Sequence, residues 1–206
     1  MNLFIIGAGG HGKVVADISI KLNKFKNIAF LDDEKKIGSS IMKLKVEGKV
    51  DYDFIKSLNL EDNLFFVAIG NCEIRKKILN KLLSLKINIP ILIHPNSSIS
   101  KSSSIGIGTL VCAGAVIGPD SRIGKGAILN HLSVVDHDCN VGNYTHISPH
   151  SSISGNVRFG ELSFLGPGAR VVQGKKIGTN CIIGAGAVVL SDIPNNKTAL
   201  GVPAKF

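Results

Sequence analysis

The chain is 206 residues long, 44% apolar but only 5% aromatic with no Trp, and its 23 glycines are about 11% of it, against a usual share of roughly 7%. That composition excludes a disordered chain and a disulfide-stapled miniature, and it calls for many positions where only a small residue fits. The net charge of +9 is spread out, with 15 basic and 10 acidic residues in 1–94 and 9 and 5 in the remainder, so anionic small ligands suit it better than nucleic acid, for which stacking aromatics are missing.

No apolar run approaches the roughly 18 residues that span a bilayer, and the first residues lack the basic start and long apolar stretch of a signal peptide. A cytoplasmic, unprocessed chain without membrane insertion is expected. Cys72, Cys112, Cys139 and Cys181 are far apart with no CxxC pair, which indicates reduced thiols rather than a disulfide framework or a cysteine zinc site.

In chain order, an apolar strand over Leu3 to Ile6 runs into Gly7-Ala8-Gly9-Gly10-His11-Gly12 and then a helical stretch from Lys13 to about Leu22. A second strand, Ile28 to Leu31, ends in Asp32-Asp33. A third, Leu64 to Ile69, ends in Gly70-Asn71 and is followed by a helix over Glu73 to Leu85. Alternating strands and helices predict a small parallel sheet that presents ligand groups at the carboxyl ends of its strands. Gly7, Gly9 and Gly12 fit GxGxxG in its proper strand-to-helix context, where bare N–H groups and the helix dipole favour phosphate, and Asp32 or Asp33 is placed to bond a ribose or base. A tight turn without a ligand would look similar. About 90 residues hold half a Rossmann sheet, so a nucleoside diphosphate fits better than a redox dinucleotide. A short strand at Ile91 to Ile93 and His94-Pro95 hand over to the second half, giving expected domains 1–94 and 95–206.

From Ile99 to Val189 every sixth residue is apolar, sixteen in a row, and four residues after each comes Ser, Thr, Ala, Cys or Val, broken only by Lys175 and Ile193. Such hexads are short strands with corners. One hexad cannot bury its apolar side chain, but stacked coils of three hexads, 18 residues each, bury every one against its counterpart about 4.8 Å away. A triangular prism of about five coils follows. Glycine often comes directly after the apolar position, as at Gly106, Gly118, Gly124 and Gly142, where a tight corner would use its permissive backbone.

Within the repeats, residues 130–150 hold four of the six histidines, which buried hexads do not require. His137 lies between Asp136 and Asp138, either of which would orient its imidazole and favour the charged form, as a general base requires. A solvated corner would carry the same residues. At 18 residues per coil, Gly155 stacks on His137, whereas His146 lies half a coil round the prism, so the two histidines would meet only across a subunit boundary. A site shared between copies, with a cyclic trimer matching the three-sided prism, is the consequence. His146 and His150 with nearby Cys139 raise a zinc reading, as in γ-class carbonic anhydrases, but those lack such a front domain, and residues four apart in a β-helix do not share a face. No metal is expected.

IIGAGGHGKVVAD, FLDD, VAIGNCEIRKKI, LIHP, VDHDCNVGNYTHIS, the hexads and the closing GVPAK together resemble the bacterial hexapeptide acyltransferases. These pair a small α/β Rossmann-like domain with an all-β left-handed parallel β-helix, and include bacillosamine-type nucleotide-sugar N-acetyltransferases and sialic acid O-acetyltransferases. The resemblance implies acetyl-CoA as donor, a nucleotide-sugar acceptor and a homotrimer with sites between prisms. It makes His137 the general base, polarised by Asp138 where relatives often carry Glu, with Asp136 in reserve, and it puts Asn130 in the active site. It further implies that His146 and the N–H of Gly155 hold the acetyl carbonyl, that Pro167, Ala185, Pro203 and Lys205 line the coenzyme, and that Gly9, His11, Asp32, Asp33, Asn71 and Arg75 surround the nucleotide sugar. Direct transfer to the amine of a nucleoside-diphosphate amino sugar is the implied reaction. O-acetylation of a sialic-acid-like sugar and a non-enzymatic scaffold are the alternatives.

Overall fold

The computed structural model describes residues 1–206, which divide into two compact units, Met1–Leu92 and Ile93–Phe206. No helix is long and apolar enough to cross a membrane.

The N-terminal unit is a five-stranded sheet with three helices. In chain order these are β1 (Asn2–Ile6), α1 (Gly10–Leu22), β2 (Ile28–Leu31), β3 (Ser40–Ile41), β4 (Leu44–Gly48), α2 (Tyr52–Ser57), β5 (Asn63–Val67) and α3 (Cys72–Ser84). The sheet order is β3-β4-β2-β1-β5, parallel throughout except the β3–β4 hairpin. Strands β1, β2 and β5 are almost continuously buried, as a sheet with helices packed against it requires. The sequence pattern misses β3, β4 and α2. The hairpin turns on Met42 and Lys43, both at positive φ (53° and 65°), and so lacks the Asn-Gly signature by which such a turn is read. Helix α1 starts at Gly10 rather than Lys13, which brings His11 and Gly12 into its first turn, and β5 stops at Val67, leaving Ala68 and Ile69 in the loop.

The second unit is a left-handed β-helix of two-residue strands joined by corners. Its three faces stack in parallel at a register of 18, for example Ile117 on Val135 on Ile153, shortening to 16 in the last coil, where Ile177 meets Ile193 and Ile182 meets Thr198. The periodic apolar residues form one continuous core from Val111 to Ala204, with Ile99 and Ile105 partly covered at its start. The small residues four positions on also point inward, and their hydroxyls tie one coil to the next: Thr109 Oγ1 donates to the Gly124 carbonyl at 2.9 Å and Ser163 Oγ to Gly178 at 2.8 Å. Serine and threonine thus satisfy backbone groups that a buried corner would otherwise orphan.

The glycines after the apolar positions serve a different purpose from the one expected. None of Gly106, Gly118, Gly124 or Gly142 has positive φ. The left-handed residues come two positions later, in a row that includes Gly108, Asp120, Asp138, Tyr144, His150 and Asn156. What demands glycine is space: a Cβ on Gly142 would lie 2.5 Å from the Glu161 nitrogen, and one on Gly118 2.7 Å from that of His137. Close approach of the next coil, rather than conformational freedom, sets these positions.

Candidate active site

In the N-terminal unit the three motif glycines have three separate causes. Gly7 ends β1 at φ 100°, a Cβ on Gly12 would sit 2.1 Å from the Gly7 carbonyl oxygen, and Gly9 caps α1 with open space around it. Helix α1 has neither a side-chain cap nor an acidic residue in its first turn, so its N-terminal N–H groups and dipole face the cleft uncompensated. A cleft of about 480 Å³ opens here, lined by Gly9, His11, Asp32 and Asp33 together with Ile69 and Ile74. On the other side of the loop a second cleft of about 600 Å³ shares Gly9 and Gly10 and adds Lys13, Lys35, Ser39 and Ser40.

Asp32 is committed to the loop itself. Its Oδ2 accepts from the Ala8 N–H at 2.7 Å and its Oδ1 from Glu34 and Lys35 at 2.9 Å each. Burial pushes its pKa up, but the bonds from Ala8, Lys35 and Glu34 and the Lys35 charge together hold it below the ordinary value. Asp33 is exposed; its Oδ1 accepts from Val50 N–H at 2.9 Å, while Lys49 Nζ donates to its carbonyl. Asn71 and Arg75 stand outside this lining. Asn71 caps α3, accepting from Ile74 N–H at 3.0 Å. Arg75 is buried, donates to the carbonyls of Ile69 and Gly70 at 2.8 and 2.9 Å, and has its pKa lowered by that burial, partly offset by the neighbouring Cys72. These two residues shape the loop that follows β5.

In the solenoid, Asp138 takes a left-handed conformation (φ 58°) that an aspartate tolerates, and its Oδ2 lies 2.8 Å from His137 Nδ1. Asp136 Oδ1 instead accepts the His137 backbone N–H at 2.8 Å. The two flanking carboxylates therefore divide the work, one on the ring and one on the main chain. The Asp138 hydrogen bond raises the imidazole pKa above its usual value against the little desolvation present, and the charges of Asp136 and Asp138 add to the rise. With Nδ1–H given to Asp138, Nε2 carries the free lone pair. The ring lies over Gly155, where a Cβ would meet Nε2 and Cε1 at 2.4 Å, so only glycine permits this pose.

A second cluster forms on another face. Asn130 Nδ2 is 3.1 Å from His146 Nε2, Asn130 Oδ1 accepts from the His131 N–H at 2.8 Å and lies 2.9 Å from His131 Nδ1, and Phe164 packs edge-on against His146 with centroids 5.3 Å apart. His131 and Phe164 escape a sequence reading. Phe164 is nonetheless legible afterwards, because it stands 18 residues beyond His146. The fold brings Asn130 to His146 and leaves His137 at a different corner. Pro167 and Ala185 are exposed, one coil apart, beside Gly168 and Gly186, around which a Cβ would meet nothing within 4 Å. The closing segment doubles back, Leu200 and Lys205 exchanging N–H···O bonds of 2.9 Å while Ala204 N–H bonds Val188, so that Pro203 and Lys205 are exposed on a pinned turn.

Cys139, next to Asp138, is buried, its thiol donates to the Ser154 carbonyl at 3.2 Å and burial raises its pKa; Cys112 is pushed up to about 12. These are packing thiols, not nucleophiles. No three His, Cys, Asp or Glu side chains converge as a metal site, and Cys139 is sealed in the core.

Residues 2–82 match the family model described as the PglD N-terminal domain. Over 112 residues, 54% of the chain, the sequence is 37% identical to the UDP-N-acetylbacillosamine N-acetyltransferase of Bacillus subtilis (strain 168), so the chain spans about half (51%) of the length of that curated relative. The acetyltransferase domain of PglB from Neisseria gonorrhoeae FA1090 in complex with acetyl coenzyme A superimposes with a TM-score of 0.94 at 41% identity, covering 99% of this chain and 98% of that one. PerB from Caulobacter crescentus in complex with CoA and GDP-perosamine gives a TM-score of 0.92 at 38% identity, covering 100% and 96%.

Proposed function

The chain belongs to the family of nucleotide-sugar N-acetyltransferases, and from that premise we propose that it moves the acetyl group of acetyl-CoA to the free amine of a nucleoside-diphosphate-linked amino sugar, with His137 as general base. The observation that carries this reading is the His137 ring, fixed through Nδ1 to Asp138 at 2.8 Å and laid over Gly155 with Nε2 free. The amine nitrogen attacks the thioester carbonyl, its proton passes to Nε2, and collapse of the tetrahedral adduct breaks the C–S bond as the imidazolium returns that proton to the leaving sulfur, releasing CoA as the thiol. Asp138 keeps the base in the reactive tautomer and stabilises the imidazolium that forms. The Gly155 N–H and His146 are the proposed donors to the acetyl oxygen.

His137 and the Asn130–His146 pair lie on separate parts of one prism. The reading therefore sets the site between copies, in a homotrimer, where His137 of one chain would face His146 of the next. A Cβ on Gly168 or Gly186, beside the exposed Pro167 and Ala185, would meet nothing within 4 Å, and the closing turn that carries Pro203 and Lys205 is bonded to Val188 through the Ala204 N–H. Such an open strip would suit a thin pantetheine arm. The N-terminal cleft would hold the nucleotide, with its diphosphate at the uncapped start of α1 and its nucleoside by His11 and Asp33. A UDP-linked 4-amino-4,6-dideoxy sugar is our proposed acceptor, in line with the name of the Bacillus relative, and a cytoplasmic location follows from the donor. The fit to CoA rests on the bare glycine lane, and no residue cluster calls for a metal.

The test is CoA release from acetyl-CoA against UDP-, GDP- and dTDP-linked 4-amino-4,6-dideoxy sugars and free sialic acid. Turnover with the UDP sugar is expected. Turnover confined to another carrier would correct the nucleotide, and turnover with sialic acid alone would replace N- by O-acetylation.

A further inference from the structure

Next to the His137 corner, one face of the solenoid carries Ser104, Arg122, Asn140, Arg158 and Lys176 as successive outward residues in parallel register. Arg158 and Lys176 are direct partners on adjacent rungs, about 4.8 Å apart. Like charges set opposite each other repel, and neither side chain makes an ion pair or side-chain hydrogen bond within the chain. Three carboxylates lie along or beside this row, and none of them forms an ion pair with Arg158 or Lys176. Asp138 holds His137, Asp192 accepts the Lys176 backbone N–H at 2.8 Å, and Asp120 lies two coils away beside Arg122. The corner residues accompanying Arg158 and Lys176 are the uncharged Asn156 and Gly174. A cleft of about 360 Å³ follows this row from Asp120 and Arg122 past Asp138 and Asn140 to Asn156 and Arg158, and Lys176 stands on the next rung beyond its lining. Arg158 is three residues beyond Gly155, at most about 10 Å along the chain from the residue that the His137 ring covers.

We propose that Arg158 and Lys176 together hold a phosphate group of one of the two substrates beside His137. This rests on the transfer reading above. A planar guanidinium offers two parallel donors to phosphate and the lysine a mobile point charge, so one bound phosphate converts a repulsive rung into a bridged one. The phosphate belongs either to the coenzyme or to the diphosphate of the acceptor.

The experiment compares the full chain with its Arg158→Gln/Lys176→Gln variant by titration calorimetry against CoA, dephospho-CoA, UDP and GDP. At least about tenfold weaker binding of one class is expected, with a flatter salt dependence. Weakening of CoA alone identifies its 3′-phosphate, equal weakening of CoA and dephospho-CoA the coenzyme pyrophosphate, and weakening of the nucleoside diphosphates the acceptor. The ligand-free variant should melt at the same or a higher temperature, because repulsion has been removed; a purely structural rung predicts a lower one. Affinities all within twofold of the parent would overturn the proposal, as would a parent that binds none of the four. A smaller assembly for the variant in sedimentation would overturn it too, by assigning the rung to a carboxylate of a neighbouring copy. Binding is read without turnover, so a parent that binds these ligands but transfers nothing would defeat the transfer reading and leave the phosphate site standing.

Discussion

The two units place their polar residues by opposite means. In the N-terminal unit a residue is held by another loop: Asp32 stays where three N–H groups from two loops meet, and Arg75 where Ile69 and Gly70 turn their carbonyls inward. In the solenoid a residue is held by the one 18 positions away, so His137 lies over Gly155 and His146 beside Phe164 because the register admits nothing else. A substitution in the first unit should therefore loosen a loop locally, whereas one in the second should be felt along a whole row.

The severest trial of this contrast is at His137. Replacement by Ala should lower turnover about 10² to 10⁴ fold, the usual worth of a general base, with the melting temperature unchanged because the ring is half exposed; steady-state CoA release and a thermal melt check both, and full activity would refute the assignment. Next in size, Gly142→Ala should cost several kcal/mol, since its Cβ would meet the Glu161 backbone at 2.5 Å, while Gly168→Ala, left-handed but surrounded by open space, should cost only about 1–2 kcal/mol. Equal costs in denaturant titration would mean that backbone conformation, not coil spacing, demands these glycines.

A smaller effect is expected at Asp138. Asp138→Asn should reduce kcat by about 10 to 10² fold through the lost tautomer control. Because Asp138 raises the His137 pKa, and the base works only when neutral, activity falls as pH drops through that raised value; the variant's acid limb should therefore shift to lower pH. Asp136→Asn, which removes a charge but leaves the larger influence, the Asp138 hydrogen bond to the ring, in place, should leave the limb closer to that of the parent. Smallest is Asp32→Asn, at about 1–3 kcal/mol of stability. The folded pKa of Asp32 is lowered, so its contribution is present above the ordinary carboxylate pKa and is lost as pH falls through the folded value. The difference in stability between parent and variant should accordingly shrink in acid, by denaturant titration at several pH values.

Much of the solenoid is legible in the sequence because its rule is local and repeats: an apolar residue every six, a small one four later, and hence the pairing of His137 with Gly155. Division of labour between Asp136 and Asp138 is not legible, because both are adjacent to the histidine and only the left-handed backbone at Asp138 turns its carboxylate onto the ring. The N-terminal unit is harder. Its glycine loop is readable, but the hairpin of β3 and β4 hides behind an atypical Met-Lys turn, and with it Ser39 and Ser40 beside the glycine loop.

By itself the sequence determined the two periods, the family resemblance, the glycine loop and the row on which each solenoid residue stands, since all of these follow from spacing along one chain. Tertiary structure alone decided what each polar side chain does with its donors and acceptors: that Asp32 and Arg75 bind backbone, that Asp138 rather than Asp136 orients His137, and that the corner glycines yield to the next coil. Hydrogen bonds depend on direction as well as proximity, and direction is set only when neighbouring coils and loops close around the residue.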